Sequence, residues 1–250
     1  GPEFDRLAYG STHLTIYMPD LESLRVPLPP LDVQRRIADF LDDQVGSMDR
    51  ALELRRREVD LVETRRRAAL TEIVFSDSVR SVSLGAVARV QLGRQRSPEH
   101  ENGEFQMPYL RSANVTDGQI LIQDVKSMNF EPAERRTFLL RVGDVLVTEG
   151  AGSPESVGAS AVYRDEWHGA VCFQNTLVRL RPRGGVEAEY LGWWARAAHA
   201  AGAMRSYATG ANILHIGVES LKRMPFPLRD ERGQGRVMER CDSLDAGSQA

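Results

Sequence analysis

The chain has 250 residues, 42% of them hydrophobic, enough to bury a sizeable core in one large or two small domains. No apolar run approaches the roughly 20 residues that span a bilayer, and no charged-then-apolar leader precedes a small-residue cleavage site, so no membrane association is expected and the expected location is the cytoplasm. A formal net charge of −3 gives no global signal for a polyanionic partner, although a local basic surface can hide within such a total. Cys172 and Cys241 lie far apart without Cys-x-x-Cys or Cys/His spacing, which argues against a disulfide framework or a zinc site.

Residues 1–4, Gly1-Pro2-Glu3-Phe4, read as a protease-site and cloning remnant, and Asp5 then opens the native sequence without a methionine, as a fragment would. Residues 5–28, with alternating apolar positions around His13-Leu-Thr-Ile16, read as the end of a preceding domain. Residues 29–77 form a long helical region. From Leu31 to Phe75 the composition is rich in Arg, Glu, Leu and Ala and free of proline, and Pro29 and Pro30 suit a first helical turn, where a missing N–H costs nothing. Val45, Leu52, Val59 and Ile73 recur at seven-residue spacing, with Leu41, Met48, Val62 and Ala69 as the companion row, so the helix carries a coiled-coil seam interrupted by Arg55 and Arg66. Gly46-Ser47 is expected to break it, between a short helix ending near Gln44 and a longer one starting near Ser47.

From residue 78 to residue 228 the sequence changes to short β-like runs bounded by turn residues: Val87–Val90, Gly118–Ile122, Gly143–Val147, Ala159–Tyr163 and Thr176–Leu180. A helix is expected from Ala188 to about Ala203, and the tail, residues 229–250, holds one short helix around Gln234 to Leu244. An internal repeat ties the two ends together. Gly10-Ser-Thr-His-Leu-Thr-Ile16 matches Gly210-Ala-Asn-Ile-Leu-His-Ile216, and Glu22-Ser-Leu-Arg-Val-Pro-Leu-Pro29 matches Glu219-Ser-Leu-Lys-Arg-Met-Pro-Phe-Pro227 with one residue added. The chain thus holds the end of one unit and a complete second one.

The segment Pro27-Leu-Pro-Pro-Leu-Asp-Val-Gln34, followed by Ile37-Ala38 and Phe40-Leu-Asp42, resembles the proline-rich start of the conserved helix in DNA-specificity subunits of type I restriction-modification systems, with Val33 where that family usually has Glu. Glu63-Thr-Arg-Arg-Arg-Ala-Ala-Leu70, Ser83-Leu-Gly85, Pro108–Val115, Leu140–Gly150 and Phe173–Thr176 follow in the family's order. The resemblance implies an α+β chain, in which a long coiled-coil-forming helical region joins one mixed α/β target-recognition domain. It further implies a non-catalytic component that reads half of a bipartite site in double-stranded DNA. The implied partners are a modification methyltransferase subunit, which uses S-adenosylmethionine, and a restriction subunit that translocates and cuts; this chain itself needs no cofactor. The second proline segment is not followed by a long helix, so two copies are expected to pair through Val45, Met48, Leu52, Val59 and Val62, unless the seam meets a helix absent from this chain. A helix of about 30 residues would span roughly 45 Å, somewhat more than one turn of DNA.

Catalytic signatures are missing: no G-x-x-x-x-G-K-[ST], G-x-G-x-x-G, H-E-x-x-H or G-x-S-x-G occurs. Reading DNA requires donors and acceptors at base edges plus cations at phosphates. Arg94-Gln95-Arg96 offers two guanidiniums flanking an amide, or a solvated loop. Arg111, Ser112 and Asn114 suit guanine and adenine edges, although Asn114 could instead cap a turn. Gly150, Gly152 and Ser153 would let backbone approach a ligand closely, as a plain hairpin loop also would. Gln174 and Asn175 could bond adenine, or anchor the neighbouring loop, and Arg205, Tyr207 and Asn212 suit a phosphate clamp. The competing readings are a coiled-coil protein-interaction scaffold without DNA specificity and a stand-alone nuclease, the latter disfavoured by the lack of an acidic metal cluster.

Overall fold

The computed structural model describes residues 15–22, 24, 27–75, 79–97, 101–150, 156–210 and 214–247. The chain divides into two compact units, Gly1–Val59 and Asp60–Ala250. In the first, a short helix α1 (Met18–Glu22) precedes the proline segment, and α2 (Leu31–Phe75) begins directly after Pro30. The Pro30 carbonyl accepts from the Val33 and Gln34 amides at 2.9 and 3.0 Å, while Gln34 Nε2 donates to Pro29 O at 2.7 Å. The prolines therefore stand ahead of the helix and cap it rather than forming its first turn.

The expected break at Gly46-Ser47 does not occur, and α2 runs unbroken to Phe75. One glycine costs a helix only about 1 kcal/mol relative to alanine. The adjoining turns are braced by Arg50 to Ser47 Oγ at 3.0 Å, Arg57 to Glu53 at 2.5 Å and Arg55 to Glu58 at 2.8 Å. Ile37, Phe40, Leu41, Val45, Met48, Leu52 and Val59 are all exposed. The seam changes character in the second unit: Val62 is still exposed, but Leu70, Ile73 and Val74 are buried in the main core.

That second unit contains β1 (Ser81–Ser83), α3 (Leu84–Val87), β2 (Ala88–Leu92), β3 (Gln106–Leu110), β4 (Lys126–Asn129), α4 (Pro132–Phe138), β5 (Val145–Thr148), β6 (Ser160–Val162), β7 (Cys172–Phe173) and β8 (Leu177–Pro182). It continues with α5 (Ala188–Ala200), α6 (Ala203–Ser206), α7 (Val218–Arg223), β9 (Pro225–Pro227) and α8 (Glu231–Gly247). A four-stranded antiparallel sheet, ordered β2-β8-β5-β6, is covered on both faces. Val145, Val147, Val178 and Leu180 pack into the main core with Tyr190, Leu191 and Trp194 of α5, whereas Leu146 and Leu177 join Leu110 and Phe173 on the other side. Two-sided burial explains the continuous apolar run of β5, whereas β8 carries Arg179 and Arg181 among its apolar positions. A three-stranded sheet, ordered β4-β3-β7, has its β3–β7 pair parallel.

The strand expected over Gly118–Ile122 does not form. Gly118 turns at φ 79°, Ile120 makes only an isolated bridge to Val115, and the Leu121 carbonyl is taken at 2.9 Å by the Asn114 side-chain amide. Side-chain hydrogen bonding here replaces a strand ladder. At the C-terminal end of α4, Arg179 donates to the Thr137 and Leu139 carbonyls, both at 3.1 Å, and so satisfies acceptors that the helix leaves open.

The proline segment Met224–Pro227 is held from both sides. β9 pairs with β1, and Phe226 is buried against the rings of Tyr190 and Trp194, each with its centroid 5.5 Å away. Tyr190 Oη donates to Pro227 O at 2.6 Å and Trp194 Nε1 to Pro225 O at 3.1 Å. In the first copy of the repeat, Leu28 occupies the position of Phe226 and is 82% exposed.

An ion network centred on the buried Arg196 ties α2, α5 and α8 to the loop carrying Asp117. Arg196 bonds Asp117 (3.1 and 3.2 Å) and Asp245 (2.8 and 3.3 Å), and Arg66 reaches Asp245 at 2.6 Å and Asp117 at 3.5 Å.

Phe226→Ala is expected to cost about 3–5 kcal/mol, lowering Tm by on the order of 10 °C, as read by calorimetry. A loss no larger than that of an exposed substitution would refute the role given to the clasp. Burial raises the Asp245 carboxyl, but hydrogen bonds from Arg196 and Arg66 outweigh it and hold the group below its ordinary 3.8. A depressed folded value stabilises above the unfolded one, and that stabilisation disappears as pH falls through the folded value. Acid unfolding should therefore set in below about pH 4, and Asp245→Asn should flatten that dependence while lowering stability at neutral pH. Parallel wild-type and Asp245→Asn curves in an acid titration followed by circular dichroism would contradict this.

Candidate functional site

β3, β4 and the loop ahead of β8 bring polar side chains from separate stretches of sequence to one cleft of about 440 Å³, lined by Arg96, Glu101, Tyr109, Arg111, Lys126, Ser127 and Gln174. The antiparallel register sets Tyr109 opposite Lys126 and Pro108 opposite Ser127, so the ammonium and hydroxyl stand beside the strand that leads into Arg111. Gly93 permits the neighbouring crossing: Gln174 pairs in parallel with Arg94, and a Cβ on Gly93 would lie 2.1 Å from the Gln174 carbonyl oxygen.

Each cation of the cleft already faces a carboxylate. Arg96 pairs with Glu101, Arg111 pairs with Asp124, and Lys126 reaches Asp124 at 2.7 Å. The Asp124 carboxyl is held below its ordinary value first by the Lys126 hydrogen bond and further by the Lys126 and Arg111 charges. Asp124 and Lys126 are exposed, where ion pairs are weak and an incoming anion competes readily. The cleft offers two guanidiniums, an ammonium, a hydroxyl and an amide, a set suited to phosphate oxygens and base edges.

Of the residues singled out from sequence, Arg96, Arg111 and Gln174 meet in this cleft, and Gln95 is exposed on the adjoining loop. Arg94 is not presented to solvent. It is 5% exposed, its Nε donates to Glu134 at 2.9 Å, and its guanidinium lies 5.1 Å from the Phe130 ring centroid. Asn114 is a loop anchor: it is 1% exposed, accepts from Arg111 N at 3.1 Å, and donates to the Leu121 and Gln123 carbonyls at 2.9 and 3.2 Å. Ser112 and Asn175 are half-buried, with backbone amides donating to Thr176 Oγ1 and Arg94 O, both at 3.0 Å. The close approach at Gly150 is internal, since an added Cβ would lie 2.5 Å from His215 Nδ1. Arg205 lines a different cleft with Arg66, Arg67 and His199, and Tyr207 packs against the main core. Gly152, Ser153 and Asn212 lie outside the described residues.

Sequence reasoning missed Lys126 and Ser127. One signal was available: the chain has only two lysines, Lys126 and Lys222, among 32 cationic residues. Burial pushes the thiols of Cys172 and Cys241 up to about 12, so neither is a ready nucleophile.

Residues 2–56 match the sequence profile of the type I restriction modification DNA specificity domain. The EcoKI specificity subunit of Escherichia coli K12 is 21% identical over 255 residues, covering 96% of this chain and 54% of that protein. Two solved chains share the fold. One belongs to a type I R-M system studied for complex assembly and conformational transition, with TM-score 0.70, 21% identity, and 95% and 58% of the two chains covered. The other is the HsdS subunit of Thermoanaerobacter tengcongensis, with TM-score 0.55, 20% identity, and 98% and 60% covered. The chain thus spans a little over half the length of these relatives. The matched domain over residues 2–56, the curated relative and the shared architecture of long helix plus α/β domain agree in one similarity: the chain resembles the DNA specificity proteins of type I restriction-modification systems.

Proposed function

We propose that the second unit is a target-recognition domain that reads one half of a bipartite site in double-stranded DNA. The observation that carries this reading is the cleft in which Arg96, Arg111 and Gln174 converge beside Lys126 and Ser127. Guanidinium and amide groups can discriminate base edges in the major groove, while Lys126 suits a phosphate. The chain supplies the address and no chemistry. Methyl transfer with S-adenosylmethionine belongs to a separate modification subunit and cleavage to a restriction subunit, both recruited through this protein. The exposed apolar row Val45, Met48, Leu52, Val59 and Val62 supports a second element of the reading, in which the helix pairs with the same helix of another copy and fixes the separation of two recognition domains. The same row is what a protein-interaction scaffold without DNA specificity would need, and DNA binding separates the two.

With its methyltransferase partner at low salt, the chain should bind duplex DNA, with log K falling linearly against log salt. Absence of duplex binding under those conditions would end this reading. Asp124→Asn frees Arg111 and Lys126 and should tighten binding to unrelated duplexes several-fold, whereas Arg111→Gln should relax discrimination at one base position by about 1–3 kcal/mol. Competition binding with single-base variants of the site measures both. For the helix, light scattering at tens of micromolar should give twice the chain mass, and Leu52→Glu should return it to a monomer. A wild-type monomer would exclude pairing between copies.

A further inference from the structure

A groove of about 300 Å³ in the second unit is lined by six arginines, Arg89, Arg136, Arg141, Arg179, Arg181 and Arg183. None of them belongs to the cleft described above. Its origin is the strand alternation of β2 and β8. Val90, Val178 and Leu180 face the main core, while Arg89, Gln91, Arg179 and Arg181 take the opposite face. The register sets Arg89 directly opposite Arg181. Like charges at opposed positions destabilise a sheet, so the fold holds this arrangement against its own electrostatics.

Two of the six have structural work. Arg179, 1% exposed, holds the end of α4 and donates through Nη2 to a third partner, Gln91 Oε1, at 2.7 Å, and its Nε has no partner among the described residues. Arg181 makes a two-pronged pair with Asp144 at 2.6 and 2.7 Å. Burial draws the Arg179 guanidinium down to about 10; Asp144 opposes this, and the charges of Arg181, Arg89 and Arg141 add to it. The other four, Arg89, Arg136, Arg141 and Arg183, are exposed, and their guanidiniums make no ion pair among the described residues. A solvated surface of ordinary composition would intersperse acids among them. Here one buried carboxylate faces six guanidiniums in a chain whose formal charge is −3.

We propose that this groove binds the sugar–phosphate backbone of duplex DNA, gripping the strand without reading its bases. The inference rests on the reading of this chain as a DNA specificity component. Planar guanidiniums match phosphate oxygens two at a time. The lining offers neither the aromatic or aliphatic anchor that a protein partner seeks nor an amide side chain to read a base edge, Thr137 and Pro182 being its other residues.

The test is fluorescence anisotropy of the full chain and of the triple variant Arg89→Gln, Arg141→Gln, Arg183→Gln on two short duplexes of unrelated sequence, from about 50 to 200 mM salt. The variant should lose roughly 2 to 3 from the slope of log K against log salt and at least about tenfold in affinity, equally for both sequences. Its melting temperature should hold or rise, because Arg89→Gln relieves the repulsion with Arg181. Should the triple variant fail to fold, Arg141→Gln and Arg183→Gln, outside the strands, should each lose about 1 from the slope. An unchanged slope with wild-type duplex affinity overturns the groove and leaves the proposed function standing. So does a loss confined to one sequence, or retained duplex binding with lost binding to poly-glutamate, the signature of an acidic protein as occupant. A wild-type chain that binds neither duplex, alone or with its methyltransferase partner at low salt, overturns the groove together with the DNA-binding reading on which it rests.

Discussion

Arg66, Arg196, Asp117 and Asp245 form the constraint on which the second unit depends, because they join segments that are remote in sequence. Arg196 is 8% exposed, lies 4.3 Å from the Trp193 ring centroid and holds two carboxylates at once. Desolvating such charges is unfavourable, so the network is a weak source of net stability and a strong source of geometry. Any shift that separates one partner leaves a buried charge uncompensated. The last turns of α2, the Asp117 loop, α5 and α8 are thereby restricted to one mutual arrangement. Leu70, Ile73 and Val74 can then pack in the core without the register ambiguity that apolar contacts alone would permit.

Much of the fold was legible because it follows from periodicity. The ends of α2, the strands β5 and β8, and the helix carrying Tyr190 and Trp194 all stand close to where pattern placed them. Gly46 apart, the failures have one cause: a decisive partner outside the local sequence pattern. Gly46 looked like a break, but a single weak residue does not outweigh the braced turns around it. Arg66 looked like a flaw in a coiled-coil seam, and its partners are residues 51 and 179 positions away. Arg94 and Asn114 had the right chemistry for DNA, yet Glu134 and the Leu121 and Gln123 carbonyls claim them internally. Lys126 became visible only once β4 was paired with β3, since its role depends on the strand beside it rather than on its own sequence neighbours.

The two basic surfaces differ in how their charge is balanced. In the cleft, exposed carboxylates neutralise every cation at short range, so a ligand gains by exchange and must be matched to the geometry left behind. That arrangement suits discrimination. In the arginine groove four guanidiniums stand without acidic partners, and their field extends outward over about 10 Å at moderate salt. That arrangement suits capture. A net charge near zero conceals both, because it sums 35 acidic against 32 basic residues over the whole chain and carries no information on where they stand.

The strand Pro225–Pro227 also shapes what the domain refuses. Two of its three residues have no N–H, and the carbonyls of both prolines are occupied by the Tyr190 hydroxyl and the Trp194 indole. A two-stranded ribbon ordinarily presents a free edge on which another chain can build a strand, the first step toward aggregation. This edge offers almost nothing to donate to or accept from, so the clasp that locks Phe226 in the core also closes the β9 side of the ribbon to a further strand.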